Sequence, residues 1–410
     1  MKKFIVSALI FAVSISPDVT SQNSGFTITV DEPANGSVTI EPALPANGVY
    51  EEGAVITVTA APDPGYAVDA VYYALPGPYG PMFYDTPRVS SLEVTVDEDK
   101  HVGVYFVKES LLEGFSVTPD VVFAQPGVKP LKYDIYSPDN AKSLPIIVII
   151  HGGGWRSNDE DIMRGMARQF ARGGNYVIAS IDYRWQGTLD GDETPNSIPD
   201  LIEDVFGAIA HIQEHAEEYG GDPSRILLTG DSAGGHLSAS AATMSNLIGD
   251  GGFGETGGVY EYLPSYIPDD KTADQVRADL TSAIKGVAPT YGVFEFNMPN
   301  VQQMLGLNDA GDEEIGAISP IDNIPNANEF EVPHYLIRGT QDPLISDENV
   351  TAYMEALVGK GQRVEYVQVG GASHAFFDWK PNDNTIQTFN KYGVYYIEEM
   401  EHFFDSVLAE

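Results

Sequence analysis

The sequence predicts an α/β protein, a mostly parallel sheet flanked by helices, with a small all-β domain ahead of it. The run at 145–150 is wholly apolar, as a strand buried on both faces should be, the mostly apolar stretch at 175–181 repeats the type, and 226–228 is a further apolar run. Residues 198–219 lie between two of those runs and place Leu201, Ile202, Val205, Ile209 and Ile212 at roughly the helical period. Residues 25–107 differ. They alternate apolar and polar positions between Asn-Gly and Pro-Gly turns, and no stretch among them has a helical period.

A chain of 410 residues exceeds the usual size of one domain, which agrees with that division, and 43% hydrophobic residues with 22 Tyr and 18 Phe can build real cores. The formal net charge of -38 would repel phosphate backbones and anionic membrane surfaces. No nucleic-acid partner is expected, and the charge reads as acidic solvation of the surface.

The first residues read as an address. Lys2 and Lys3 precede an apolar run at 4–15, too short to span a bilayer and of the length of a signal-peptide core. A signal peptide over 1–21, cleaved after Val19-Thr20-Ser21, predicts a secreted or periplasmic protein, and no later stretch is apolar enough for a membrane span. With no cysteine, the chain makes no use of disulfides in an oxidising compartment.

Within 22–107, Phe26-Thr27-Ile28-Thr29-Val30, Ser37-Val38-Thr39-Ile40, Val55-Ile56-Thr57-Val58-Thr59 and Leu92-Glu93-Val94-Thr95-Val96 are expected strands. The run from Ala34-Asn35-Gly36-Ser37-Val38-Thr39 through Tyr50-Glu51-Glu52-Gly53 and Ala61-Pro62-Asp63-Pro64-Gly65-Tyr66 to Asp99-Lys100-His101-Val102-Gly103-Val104-Tyr105-Phe106 resembles one copy of the divergent InlB B-repeat family. It departs from that family at Val71-Tyr72, where a tryptophan is common. The resemblance implies an accessory module on an exported bacterial protein.

Residues 108–410 carry the chemistry. Ile226-Leu227-Leu228 runs into Thr229-Gly230-Asp231-Ser232-Ala233-Gly234-Gly235-His236. Glycine, serine and glycine directly after a buried strand make a strand-to-helix turn tight enough to hold a serine Oγ clear of the backbone, and only small residues fit around it. Ser232 is the candidate nucleophile. After the run 145–150 comes His151-Gly152-Gly153-Gly154-Trp155. Consecutive glycines let N–H groups point into a site, so Gly153 and Gly154, with the N–H of Ala233, form the expected oxyanion hole. A purely structural glycine loop is the alternative, and His151 reads as a hydrogen bonder that fixes the loop.

A serine nucleophile needs a base, and the base an orienting carboxylate. Of eight histidines, His211 and His215 lie on the amphipathic helix, His236 follows Ser232 too closely to swing back, and His374 sits in Gly370-Gly371-Ala372-Ser373-His374-Ala375-Phe376 just past an expected strand at 364–369. Asp342 holds the matching place after Tyr335-Leu336-Ile337. Asp347 and Glu348 compete with it, but they stand where a helix starts and read as capping residues.

With those residues assembled, the region from about 114 to 410 resembles the α/β-hydrolase superfamily, whose chain order is Ser232, Asp342, His374. Within it the likeness is to esterases with an HGGG oxyanion loop: the hormone-sensitive-lipase-like group and the bacterial feruloyl and acetyl xylan esterases. Ile181-Asp182-Tyr183-Arg184, Tyr219-Gly220-Gly221-Asp222-Pro223-Ser224-Arg225-Ile226 and Ile318-Ser319-Pro320-Ile321 support it. Trp185-Gln186-Gly187 stands where the lipase-like group continues Leu-Ala-Pro-Glu, and no long helical N-terminal cap is visible. Both departures favour the feruloyl and acetyl branch.

The resemblance implies a serine carboxylesterase working through an acyl-enzyme, without metal or organic cofactor, on acetyl or feruloyl esters of plant or algal polysaccharide or on related short-chain or aromatic esters. A peptidase or polyester hydrolase of the same fold, or a non-catalytic binding protein, are the alternatives. Two further expectations come from the residues. The three tryptophans, Trp155, Trp185 and Trp379, each follow a site loop and suggest an aromatic-walled mouth for sugar rings or aromatic acyl groups, against the alternative of ordinary packing. Residues 244–274 form a Gly- and Tyr-rich insertion, either a lid or a disordered excursion.

Overall fold

A computed structural model of the chain describes residues 25–76, 81–249, 260–296 and 298–409. The expected signal peptide lies outside the described residues, as do positions 250–259 of the insertion. The chain divides into two units, Met1–Asp63 with Ala70–Phe106, and Pro64–Asp69 with Val107–Glu410.

The first unit contains β1 (Gly25–Val30), β2 (Gly36–Glu41), β3 (Val49–Glu51), β4 (Val55–Pro62), the part of β5 (Tyr66–Leu75) from Ala70 onward, β6 (Met82–Pro87), β7 (Ser91–Thr95) and β8 (Lys100–Lys108) as far as Phe106. They form sheets of order β3-β1-β8-β5-β6 and β2-β4-β7. In β4, Ile56, Val58 and Ala60 are buried while Val55 and Thr59 are exposed, the alternation of a strand with one wet face. The expected alternating runs coincide with β1, β2, β4 and β7. β5 has no such pattern because Asp69, Ala70, Val71 and Tyr72 are buried in succession, so both its faces are covered.

The second unit is built on β9 (Phe115–Ala124), β10 (Leu131–Pro138), β11 (Leu144–Ile150), β12 (Val177–Ile181), β13 (Gly221–Asp231), β14 (Ile284–Thr290), β15 (His334–Gly339) and β16 (Val364–Val369). The eight strands lie in the order β16-β15-β14-β13-β11-β12-β10-β9. From β12 to β16 all pairs are parallel; β10 runs antiparallel to both β12 and β9. The mostly parallel sheet flanked by helices is an α/β-hydrolase fold.

Between the strands run α1 (Arg164–Gly173), α2 (Ile198–His215), α3 (Ala233–Met244), α4 (Ala273–Ala283), α5 (Pro299–Leu305), α6 (Asp312–Ile318) and α7 (Asp347–Gly359), and after the last strand come α8 (Asp383–Thr388) and α9 (Val394–Leu408). α1 packs with α9, and α2 with α3 and α4. α2 begins where the Ser197 N–H donates to Asp200 at 2.7 Å, and the chain reverses at Gly220, whose φ of +78° favours glycine. Register between β13 and β14 continues to Asp231 opposite Thr290, so β13 extends three residues beyond its apolar run. Parallel strands gather the loops after β11, β13, β15 and β16 at one end of the sheet, where ligands bind in such folds.

Candidate active site

β13 ends at Asp231 and α3 begins at Ala233, so Ser232 alone makes the reversal, at φ 53° and ψ -113°. The Ser232 N–H donates to the Thr290 carbonyl at 3.0 Å, which ties the turn to β14. A Cβ on Gly234 would lie 2.0 Å from the Ile150 carbonyl oxygen, and one on Gly230 would lie 2.4 Å from that of Gly234. No side chain fits at either glycine.

Ser232 Oγ lies 2.8 Å from His374 Nε2, and His374 Nδ1 lies 2.8 Å from Asp342 Oδ2. An ionised carboxylate only accepts, so Nδ1–H donates to Asp342 and Nε2 is left to accept from the serine hydroxyl. The other Asp342 oxygen accepts the N–H groups of Leu344 and Ile345 at 2.8 and 2.9 Å. Burial by itself would raise this carboxyl. The His374 hydrogen bond and charge and the two N–H donors outweigh it, and Asp342 is held below its ordinary range. The His374 side chain is 14% exposed, within reach of a ligand. Tyr291, fully buried, packs its ring 4.8 Å from that imidazole and accepts the Phe377 N–H at 3.3 Å. Tyr291 was not legible as a site residue, since nothing in the local pattern marks a partner on the histidine loop.

The loop after β11 is fixed from several sides. His151 is buried, with Nδ1 2.6 Å from the Gly152 carbonyl and Nε2 3.3 Å from Asp182. Tyr183 stacks on its ring at 4.2 Å and donates its hydroxyl to the His151 carbonyl at 2.8 Å. Gly153 and Gly154 have φ of +121° and +62°, a backbone course that suits glycine. Among the described residues, the N–H groups of Gly153, Gly154 and Ala233 have no protein acceptor.

The tryptophans do not form a common wall. Trp155 is 3% exposed; its indole N–H donates to His236 Nδ1 at 3.1 Å and its ring packs on Phe296. His236 passes the contact on, Nε2 lying 2.8 Å from the Ile318 carbonyl, and burial lowers its pKa to about 4. Trp379 is 4% exposed and donates to Asp69 Oδ2 at 2.9 Å. Both are core residues, because a buried indole needs an acceptor and each has found one inside the protein. The aromatic-walled mouth is therefore corrected at Trp155 and Trp379. Trp185 is half-buried, donates to the Asn158 carbonyl at 2.8 Å and carries the Lys129 ammonium 4.6 Å from its ring centre.

The described part of the insertion is tied to α2 and to α6. Leu263 N–H donates to Glu203 at 2.9 Å, the Tyr266 hydroxyl to Glu214 at 2.6 Å and the buried Tyr262 hydroxyl to the Ala317 carbonyl at 2.6 Å. Among the described residues one acidic group, Asp120, Asp134 and Glu160, is close enough to share an ion, but the Lys132 ammonium already sits 2.8 Å from Glu160 and 2.5 Å from Asp120. No helix among the described residues is long and apolar enough to cross a membrane.

Residues 133–357 match the BD-FAE family, and residues 26–71 match the divergent InlB B-repeat domain. Esterase LipQ of Mycobacterium tuberculosis is 27% identical over 274 residues, 63% of this chain and 57% of that protein. Carboxylesterase NlhH of the same organism is 37% identical over 124 residues, 30% of this chain and 37% of that protein. The matches thus span about a third to somewhat over half the length of these curated relatives. Among solved structures, esterase 2 of Thermogutta terrifontis, phosphoramylated by tabun, superposes with a TM-score of 0.52 at 25% identity, covering 72% of this chain and 95% of that one. The same enzyme is also known with propionate bound, at a TM-score of 0.51 and 25% identity.

Proposed function

Because the chain belongs to the BD-FAE family, we propose that it is a serine carboxylic-ester hydrolase with Ser232 as nucleophile, His374 as general base and acid, and Asp342 as the residue that orients the imidazole. The observation that carries this reading is the line from Ser232 Oγ through His374 to Asp342, both links 2.8 Å long, on a turn that no larger residue could make. His374 Nε2 takes the hydroxyl proton as Oγ attacks the ester carbonyl, and Asp342 stabilises the imidazolium. The N–H groups of Gly153, Gly154 and Ala233 receive the developing oxyanion, each such donor contributing about 3 kcal/mol in comparable sites. The proton on His374 then goes to the leaving alcohol, and water repeats the sequence in reverse to release the acid.

The substrates we assign are acetyl or feruloyl esters carried on neutral polysaccharide, or related short-chain and aromatic esters. A net charge of -38 favours neutral over anionic polymers as partners. Residues 22–107 act as an accessory module, and the protein is exported after loss of residues 1–21.

Ser232→Ala is expected to fold and to lose hydrolysis of a short nitrophenyl ester, and an organophosphate should add its mass to the peptide containing Ser232 in the native protein only. Turnover retained by Ser232→Ala would sink the assignment. Comparing acetylated xylan, methyl ferulate and nitrophenyl acetate then decides among acyl groups.

A further inference from the structure

The turn around Ser232 asks for small residues at Gly230, Ala233 and Gly234 and asks nothing of the side chain at 231. Yet Asp231 is 2% exposed, and its Oδ1 accepts the Gly152 N–H at 2.6 Å. A Cβ on Gly152 would stand 2.6 Å from Asp231 Oδ2 and 2.8 Å from the Asp231 carbonyl oxygen, so the glycine loop rests directly on this residue. Gly152 immediately precedes Gly153 and Gly154, and Asp231 immediately precedes Ser232. One hydrogen bond therefore joins the two loops one residue before the oxyanion glycines on one side and one residue before Ser232 on the other.

Resting on the reading of Ser232 as nucleophile, we propose that Asp231 is a positioning residue, which holds Gly152 so that the N–H groups of Gly153 and Gly154 keep a fixed place relative to Ser232. The carboxyl is borne by the residue next to the nucleophile, so any shift of the turn carries the oxyanion donors with it. Its surroundings leave little freedom. Asp378 on the histidine loop, Lys380, Tyr183 and Tyr291 are the titratable groups around it. Burial first, and then the Asp378 charge, push the Asp231 carboxyl well above its ordinary range, against the pull of the Gly152 N–H and Lys380. Asparagine keeps the acceptor oxygen without a charge and is the conservative replacement.

The experiment compares the native protein with Asp231→Ala and Asp231→Asn on a nitrophenyl ester, together with inhibition by a trifluoromethyl ketone, which forms a tetrahedral adduct at a nucleophilic serine. Removing one oxyanion donor costs about 100- to 1000-fold in kcat, so displacing the loop in Asp231→Ala should cost about 10- to 100-fold, with KM changed less than about threefold. Affinity for the ketone should fall in parallel, which a loss of stability alone would not produce. Asp231→Asn should recover most of both. A folded Asp231→Ala with native kcat and native ketone affinity overturns the proposal, as does an Asp231→Asn as impaired as the alanine variant. Should Asp231→Ala not fold, Asp231→Asn decides: a kcat within about threefold of native supports the assignment, and a loss of about tenfold or more overturns it. The reading it rests on fails separately, through turnover by Ser232→Ala.

Discussion

Glu203 carries a carboxyl that water reaches only in part. Burial dominates its environment, the Leu263 N–H pulls the other way, and its pKa stands at about 7 against an ordinary 4.5. A folded-state pKa above the unfolded one means that stability is greatest below about 4.5 and is lost as pH rises through 7. Glu203→Gln keeps an oxygen for Leu263 and removes the charge. It should raise stability at pH 8 by on the order of 1 kcal/mol, after allowance for solvent screening, and change nothing at pH 4. Melting curves of both proteins across that range check it; a gain equal at both ends would reject the account. Residue by residue, the site was legible where chemistry restricts the choice. Ser232 stood out through its glycines, and His374 and Asp342 through their place after apolar strands. Trp155 and Trp379 were misplaced because nearness in sequence to a site loop says nothing about which way a side chain turns. Trp155 found its acceptor in His236, and Trp379 in a residue 310 positions away.

The turn from β13 to α3 is an element defined by what cannot be added to it. Gly234→Ala would place a methyl group 2.0 Å from the Ile150 carbonyl, a backbone atom at the end of β11 that cannot rotate aside. It should cost about 1–3 kcal/mol and misplace Ser232, so that melting temperature and kcat fall together. Gly359→Ala provides the contrast. That glycine ends α7 with nothing within 4 Å of a Cβ, and the substitution should be neutral or stabilising by about 0.5 kcal/mol. Equal melting temperatures for the two variants would contradict the packing argument. Strands were readable from sequence where one or both faces impose a pattern, as in β4 and β11. β5 was hidden because its buried run contains Asp69 and so shows neither alternation nor an unbroken apolar run, and the polar end of β13 hid its extension to Asp231.

At the scale of the molecule, the second unit is not one continuous piece of chain, since Pro64–Asp69 groups with Val107–Glu410. Asp69 is fully buried there, 3.0 Å from Arg164 and 2.5 Å from Arg168. Burial would raise its carboxyl, and the two guanidinium charges outweigh that and hold it well below the usual range. A chain beginning at residue 108 would leave both arginines without this partner, and losing one side of a buried ion pair costs about 3–5 kcal/mol. Such a chain should melt well below the full-length protein, and Asp69→Asn should reproduce much of the deficit. A truncated chain as stable as the full one would show that the arginines find other partners.

The same carboxylate sets a timetable for biosynthesis. Asp69 leaves the ribosome 95 residues before Arg164 and 310 before Trp379. Its two charge partners are thus made within 99 residues of it, whereas the Trp379 indole that completes its hydrogen bonds comes only when nearly the whole chain has been made, so the charge is neutralised long before the site around it is finished.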